Sequence, residues 1–153
     1  NIDIPVLIPE SYVTDLGLRL GLYRRMGRLS SREEMDAFAA EMIDRFGPLP
    51  TEVENLMTVV GLKQACRAAG VAKLDAGSRG CLVSFHNDRF DNPAGLVEMM
   101  THQAKSMKLR TDHTLVIRRE WPSPEDRIEG LTKEINTLAN LAAAGKPRAD
   151  QPS

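Results

Sequence analysis

The chain lacks the surplus of positive charge that a freestanding nucleic-acid-binding protein normally carries. It has 20 lysines and arginines against 21 aspartates and glutamates, so its formal net charge is -1. Aromatic residues make up only 5% of its 153 residues, which is too few for the stacking platforms that bind single strands. Composition therefore argues against nucleic-acid binding as the principal activity.

Cysteines and long apolar stretches are scarce as well. Cys66 and Cys81 are spaced neither as zinc ligands nor as a disulfide framework, and two reduced thiols are typical of a cytoplasmic protein. No apolar stretch is long enough to span a bilayer, so we expect no membrane partner. The first four residues do not form a signal peptide, and the missing initiator methionine favours a segment of a larger protein.

Sequence motifs of catalysis are also missing. The glycine–lysine pair at 145–146 lacks the rest of a phosphate-binding loop, and neither a dinucleotide fingerprint nor a zinc-hydrolase motif occurs. Cys81 and His86 fall on opposite faces of a predicted strand, so they form no nucleophile–base pair. His102 and His113 are isolated in the sequence. We expect no catalytic residue, no metal site and no cofactor in this part of the chain.

The first half of the sequence predicts one short strand and three helices. Alternating apolar residues over 2–8 predict a strand at a sheet edge, since Pro5 cannot donate to a ladder. A first helix is predicted over 11–27, with one buried face formed by four apolar side chains. These are Tyr12, Leu16, Leu20 and Tyr23.

Clear signals delimit the second and third helices. Ser31 and Glu34 form a capping box at the start of the second, and Gly47 is predicted to end it in a left-handed conformation. The buried face of the second helix is predicted to be Met35, Phe38, Met42 and Phe46. The third helix is predicted from residue 50 or 51 until Gly70 stops it, with Val53, Leu56, Val60 and Ala65 as its apolar stripe.

The second half predicts a small sheet followed by a long helix. Short apolar runs predict strands at 71–74, 81–85, 109 and 115–117, and Asn92 with Pro93 begins a helix between them. Ser123 and Pro124 begin the final helix, which ends at residue 145. We therefore predict an α+β fold: an N-terminal three-helix segment, a small, mostly antiparallel sheet with an inserted helix, and a long C-terminal helix. Residues 1–145 should form one domain and residues 146–153 a disordered tail.

Two acidic residues on the second helix are locally unfavourable. With Met42 at the centre of the buried face, Asp44 points away from the core and Glu41 lies at the flank, beside the small residues Ala37 and Ala40. Like charges at this spacing repel each other, and Asp44 opposes the helix dipole in the last turn. One interpretation is that arginines of a partner surface receive both carboxylates. The alternative is neutralisation within the chain, by Arg45 or by a basic residue of the first helix.

A cluster of arginines lies where the first helix ends. It could bind phosphate groups, or it could be a solvated face that stabilises the negative end of the helix. Its members are Arg24, Arg25, Arg28 and Arg32.

The first 60-odd residues resemble a known family. The matching stretches are IP-x-x-YV-x-D from residue 8, RL-x-LYRR from residue 19 and E-x-x-DRFG-x-LP from residue 41. In order and spacing, this pattern is similar to the C-terminal domain of bacterial transcription-repair coupling factor. The remainder agrees more loosely, in its order of hairpin, helix, strands and final helix.

The resemblance implies a regulatory rather than a catalytic role. The full-length family protein is an ATP-driven translocase on double-stranded DNA, using ATP and Mg²⁺ in a motor upstream of this segment; it displaces stalled RNA polymerase and recruits UvrA. The C-terminal domain packs against the UvrA-binding module of the same polypeptide and masks it. The acidic pair of the family motif falls on Glu41 and Asp44. A DNA-binding accessory domain that uses the arginine cluster is the alternative.

Overall fold

The computed structural model describes residues 6–145, which fall into two compact units. The first, described over residues 6–64, is helical; the second, described over residues 65–145, contains the sheet. The predicted α+β order of three helices, a sheet with an inserted helix and a closing helix is confirmed. That residues 1–145 act as one domain stays a prediction, and the predicted tail at 146–153 lies outside the described residues.

Three helices account for most of the first unit. They are α1 (Leu16–Gly27), α2 (Arg32–Phe46) and α3 (Thr51–Ala69), the last of which ends beyond the unit boundary. Ile8 and Val13, from the segment before α1, are buried with them. The core of the unit is completed by Leu22, Met26, Phe38, Met42 and Val53.

Two predictions for the beginning of the chain are wrong. Residues 6–8 form no strand, because the Ile8 amide donates to Tyr23 Oη at 2.6 Å instead of to a neighbouring strand. Residues 2–5 of the predicted strand lie outside the described residues. Helix α1 begins at Leu16 and not near residue 11, because the Asp15 carboxylate caps it by accepting from the Leu18 amide at 2.8 Å.

The predicted buried face of α1 is also wrong. Leu16 is 60% exposed, Leu20 48% and Tyr23 37%, whereas Leu22 and Met26 are buried. Leucines occupy alternate positions along this helix, so two stripes with the same spacing of three or four residues compete for the core. Spacing alone could not decide between them.

Helix α2 begins and ends where predicted, but Met35 and Phe46 of its predicted buried face are only half-buried and the residue after it has a different conformation. The Glu34 amide donates to Ser31 Oγ at 3.1 Å, and Phe38 and Met42 are buried. Gly47 ends the helix with φ 96° and ψ -174°, which is a positive φ but not the left-handed helical conformation that was predicted. Glycine is still favoured there, because side chains rarely tolerate this φ.

The second unit is built on a four-stranded antiparallel sheet in the order β1-β2-β4-β3. Its strands are β1 (Val71–Gly77), β2 (Gly80–Phe85), β3 (Met107–Leu109) and β4 (Leu115–Arg118). Helix α4 (Pro93–His102) lies between β2 and β3 in sequence, and α5 (Pro124–Ala144) follows β4. The buried stripe of α5 is the predicted one: Ile128, Leu131, Ile135, Leu138 and Ala142.

Candidate interaction surface on helix α2

The burial of one side of α2 in the core determines which side chains lie on its outer face. Phe38 and Met42 are buried, so Ala37, Ala40 and Asp44, on the opposite side, are exposed. These three residues lie within about 60° of one another around the helix axis. They form a smooth strip with one carboxylate at its C-terminal end. This is the geometry that the sequence predicted for these three positions.

Glu41 is already neutralised within the chain. Both of its carboxylate oxygens accept from the guanidinium of Arg25, at 2.6 and 2.7 Å, and Arg45 Nη1 donates to Oε2 at 3.1 Å. Hydrogen bonds from Arg25, and then from Arg45, lower the pKa of the Glu41 carboxyl to about 2. The structure thus contains the neutralisation within the chain, by Arg45 and by a basic residue of α1, and an interface role for Glu41 stays a prediction.

Aromatic rings hold both arginines in place. The Arg25 guanidinium lies 4.9 Å from the centre of the Phe38 ring, and that of Arg45 lies 4.9 Å from the centre of Phe46. A planar guanidinium that stacks on a ring and donates two parallel bonds to a carboxylate has a fixed orientation. The Glu41 carboxylate is consequently presented at the surface in one position, with lone pairs still available for a further donor.

Asp44 has the opposite surroundings. It is exposed, and within residues 6–145 it makes no hydrogen bond or ion pair. The end of α2 beside it is closed by Tyr12, whose hydroxyl donates to the carbonyl oxygen of Gly47 at 2.7 Å and approaches that of Met42 at 3.2 Å. Asp44 is thus the acid of the motif whose charge remains uncompensated in the described part of the chain.

The four arginines of the cluster have different surroundings. Arg25 is committed to Glu41, and Arg32 Nε lies 3.7 Å from Asp36, in a pair whose side chains are both largely exposed. Arg24 and Arg28 are exposed and pair with no acid among residues 6–145. The sequence grouped Arg25 with the arginine cluster, for which phosphate binding and a solvated face were both open, and in the structure its guanidinium pairs with Glu41 on α2. Only the contact between α1 and α2 could have revealed this.

The described residues contain no group of three or more possible ligands that could hold a metal ion. Cys81 is buried, and desolvation raises the pKa of its thiol to about 12, whereas His86 is exposed. These two side chains are therefore not brought together. Between residues 6 and 145 no helix is both long and apolar enough to cross a bilayer.

Comparison with known proteins agrees with this architecture. The described residues have an α+β fold, and helix α2 carries Ala37, Ala40 and Asp44 on its outer face. The sequence model of the TRCF domain family matches residues 2–96. The chain belongs to this family, the domain family of transcription-repair coupling factor.

Individual relatives cover a small part of long proteins. The transcription-repair-coupling factor of Rickettsia conorii is 39% identical over 76% of the chain, and that of Myxococcus xanthus 32% over 93%. The Escherichia coli protein is 27% identical over 92%. The chain spans only 10 to 12% of the length of these curated relatives.

A solved structure shares the fold. A crystal structure of the C-terminal domain of transcription-repair coupling factor superposes with a TM-score of 0.74, covering 95% of this chain and 93% of that one, at 15% sequence identity. At this identity the likeness concerns the fold.

Proposed function

We propose that this chain is the non-catalytic, regulatory C-terminal domain of a transcription-repair coupling factor. In this proposal the outer face of α2 binds the UvrA-binding module of the same polypeptide and masks it from UvrA. The full-length protein would be an ATP-dependent DNA translocase that removes stalled RNA polymerase and recruits excision repair. The family membership supports this, as does the identity of the relatives matched.

The observation that carries the proposal is the unpaired carboxylate of Asp44 at the end of a smooth strip. Ala37 and Ala40 let another surface approach α2 closely, and an arginine on that surface could then pair with Asp44. Glu41, held by Arg25, would offer its remaining lone pairs beside that contact. Masking of this kind needs a free-energy difference of only a few kcal/mol between the closed and open states. Salt should weaken the contact between Asp44 and the partner arginine.

The test uses the full-length protein and purified UvrA. Replacing Asp44 with alanine should open the mask and raise the affinity for UvrA by about 10- to 150-fold, because one buried charge-assisted contact is typically worth about 1.5–3 kcal/mol. Glu33→Ala is the matched control, since Glu33 is an exposed acid in the first turn of the same helix. UvrA affinity that is the same in wild type and Asp44→Ala would contradict the masking role.

The alternative is a DNA-binding accessory domain that uses the arginine cluster. Arg24 and Arg28 remain available for phosphates, but Arg25 and Arg32 have acidic partners, which leaves half of the cluster. Binding of the 153-residue chain to duplex DNA at low salt, lost on Arg24→Gln/Arg28→Gln, would favour this alternative. No binding at about 20 mM salt would remove it.

A further inference from the structure

The outer face of α1 is apolar, although no described residue covers it. Leu16 is 60% exposed and Leu20 48%, one helical turn apart, on the side turned away from the buried Leu22. Leu7, 44% exposed, immediately precedes Ile8, whose amide is bonded to Tyr23 Oη on the same helix. Single exposed leucines are ordinary on a protein surface, but a continuous stripe of apolar side chains is typical of an interface.

Gly21 is half-buried and lies at the border of this face, about 100° around the helix from Leu20. Among the described residues a Cβ there would meet no heavy atom within 4 Å, so alanine would fit and would favour the helix. Gly17 lies one turn earlier, where a Cβ would come no closer than 3.3 Å to the Asp15 side chain. Two glycines four residues apart allow a second helix backbone to approach closely. The row of glycines lies beside the row of leucines, about 100° further around the helix.

Positive charge follows the row of leucines toward the end of the helix. Arg24 follows Leu20 by four residues and lies about 40° from it around α1, and Arg28, which caps the end of the helix, lies about 80° from Leu20. Both are exposed and have no acidic partner among residues 6–145, in contrast to Arg25 and Arg32. A complementary surface therefore has apolar side chains followed by acidic ones, spaced along a helix.

We infer that the outer face of α1 is a docking site for an amphipathic helix of another protein, with its apolar side on Leu16 and Leu20 and its acidic side chains on Arg24 and Arg28. The glycines let the two helices approach, the leucines supply apolar contact, and the arginines fix direction. Nucleic acid fits less well, since phosphates gain nothing from the leucines. The site goes beyond the proposed masking contact, which uses α2.

The experiment uses the 153-residue chain and a synthetic helical peptide of about 18 residues with a leucine–alanine face bordered by glutamates. Saturable binding in fluorescence anisotropy is expected, with a Kd below about 100 µM at low salt. Leu16→Ser/Leu20→Ser should weaken binding at least tenfold, or about 1.4 kcal/mol. Val97→Ser is the control, because Val97 on α4 is exposed to a similar degree, 57%, and lies outside the site.

A second variant separates docking from folding. Gly21→Ala should raise the Tm by about 1–4 °C, because it favours the helix, and should at the same time weaken peptide binding several-fold by blocking close approach. Arg24→Gln/Arg28→Gln should weaken binding and reduce its dependence on salt. A merely structural role for Gly21 would not produce a more stable protein that binds less well.

Four outcomes would overturn the inference. The acidic peptide could fail to bind, or a peptide with lysines in place of the glutamates could bind equally well. The chain could self-associate through Leu16 and Leu20 in sedimentation, which would make the face a contact between copies. Duplex DNA could bind in a manner that needs the arginines and not the leucines, which would make it a nucleic-acid site. Each outcome is independent of the UvrA measurement, so the two proposals can fail separately.

Discussion

Glu41 and Asp44 lie three residues apart on α2 and have opposite electrostatic surroundings. Glu41 is held by two arginines, whereas Asp44 is exposed in the last turn without a partner among residues 6–145. Removing each charge should therefore change stability in opposite directions. Asp44→Asn should raise the free energy of unfolding by about 0.3–1 kcal/mol, because it relieves repulsion by the negative helix end. Glu41→Gln should lower it, because the two guanidinium groups lose the negative charge and one of the two accepting oxygens, which an NH₂ donor replaces.

Urea unfolding at pH 7, followed by circular dichroism, measures both changes. Glu33→Gln provides the comparison, since an acid in the first turn is favoured by the helix dipole and its removal should be mildly destabilising. If Asp44→Asn were destabilising, Asp44 would have a favourable interaction within the chain, and the case for an external partner would fail.

The pairing of Glu41 also predicts a pH dependence. Its pKa of about 2 in the folded chain is below the ordinary value of 4.5, so the pair stabilises the fold above about pH 4.5. This contribution is lost as the pH falls through 2. Carbon-13 NMR titration of the Glu41 carboxyl should give a midpoint near 2 in the wild type and one nearer 4.5 in Arg25→Ala. Phe38 must stay packed in that variant, which its ring resonances would report. An ordinary midpoint in the wild type would show that the ion pair does not persist in solution.

Local signals in the sequence specify most of the fold. Ser123 caps α5 by accepting from the Asp126 amide at 3.0 Å, and every residue of its predicted stripe is buried. In α5 the spacing of apolar residues, the N-terminal cap and the C-terminal glycine all predict the same helix. In α1 the spacing is ambiguous, because alternate leucines form two possible apolar faces. The face that contains Leu22 is the buried one.

The candidate site was predicted only in part, because some of its features depend on one helix and others on the packing of two helices. The exposure of Asp44 follows from the angular position of Met42 on a single helix, so the sequence was sufficient. The pairing of Glu41 with Arg25 depends on how α1 and α2 pack, because these residues are 16 positions apart. Only the weaker bond from Arg45, four residues along α2, could have been expected from spacing.

The β1–β2 hairpin should depend on one of its two glycines. A Cβ at Gly80 would lie 1.9 Å from the carbonyl oxygen of Ile117, and Gly80 has φ 124°, so Gly80→Ala should cost more than about 2 kcal/mol of unfolding free energy. Gly77 pairs with Gly80 across the hairpin, but a Cβ there would meet nothing within 4 Å. Gly77→Ala is therefore the matched control, with a change within about 1 kcal/mol. Urea unfolding distinguishes them, and equal losses would contradict the role of the Ile117 contact.

Trp121 packs over Gly130 on α5, which makes fluorescence a local probe. A Cβ at Gly130 would lie 2.1 Å from Trp121 Nε1, so Gly130→Ala must displace the indole of the single tryptophan in the chain. Trp121 is only 6% exposed, and we expect a red-shifted emission maximum and a loss of about 1–3 kcal/mol in unfolding free energy. Gly21→Ala is the control, since both glycines are helical and only Gly130 has a close neighbour. It should leave the emission unchanged and stabilise the chain. Emission from Gly130→Ala that matched the wild type, at unchanged stability, would show that the indole can move aside without leaving the core.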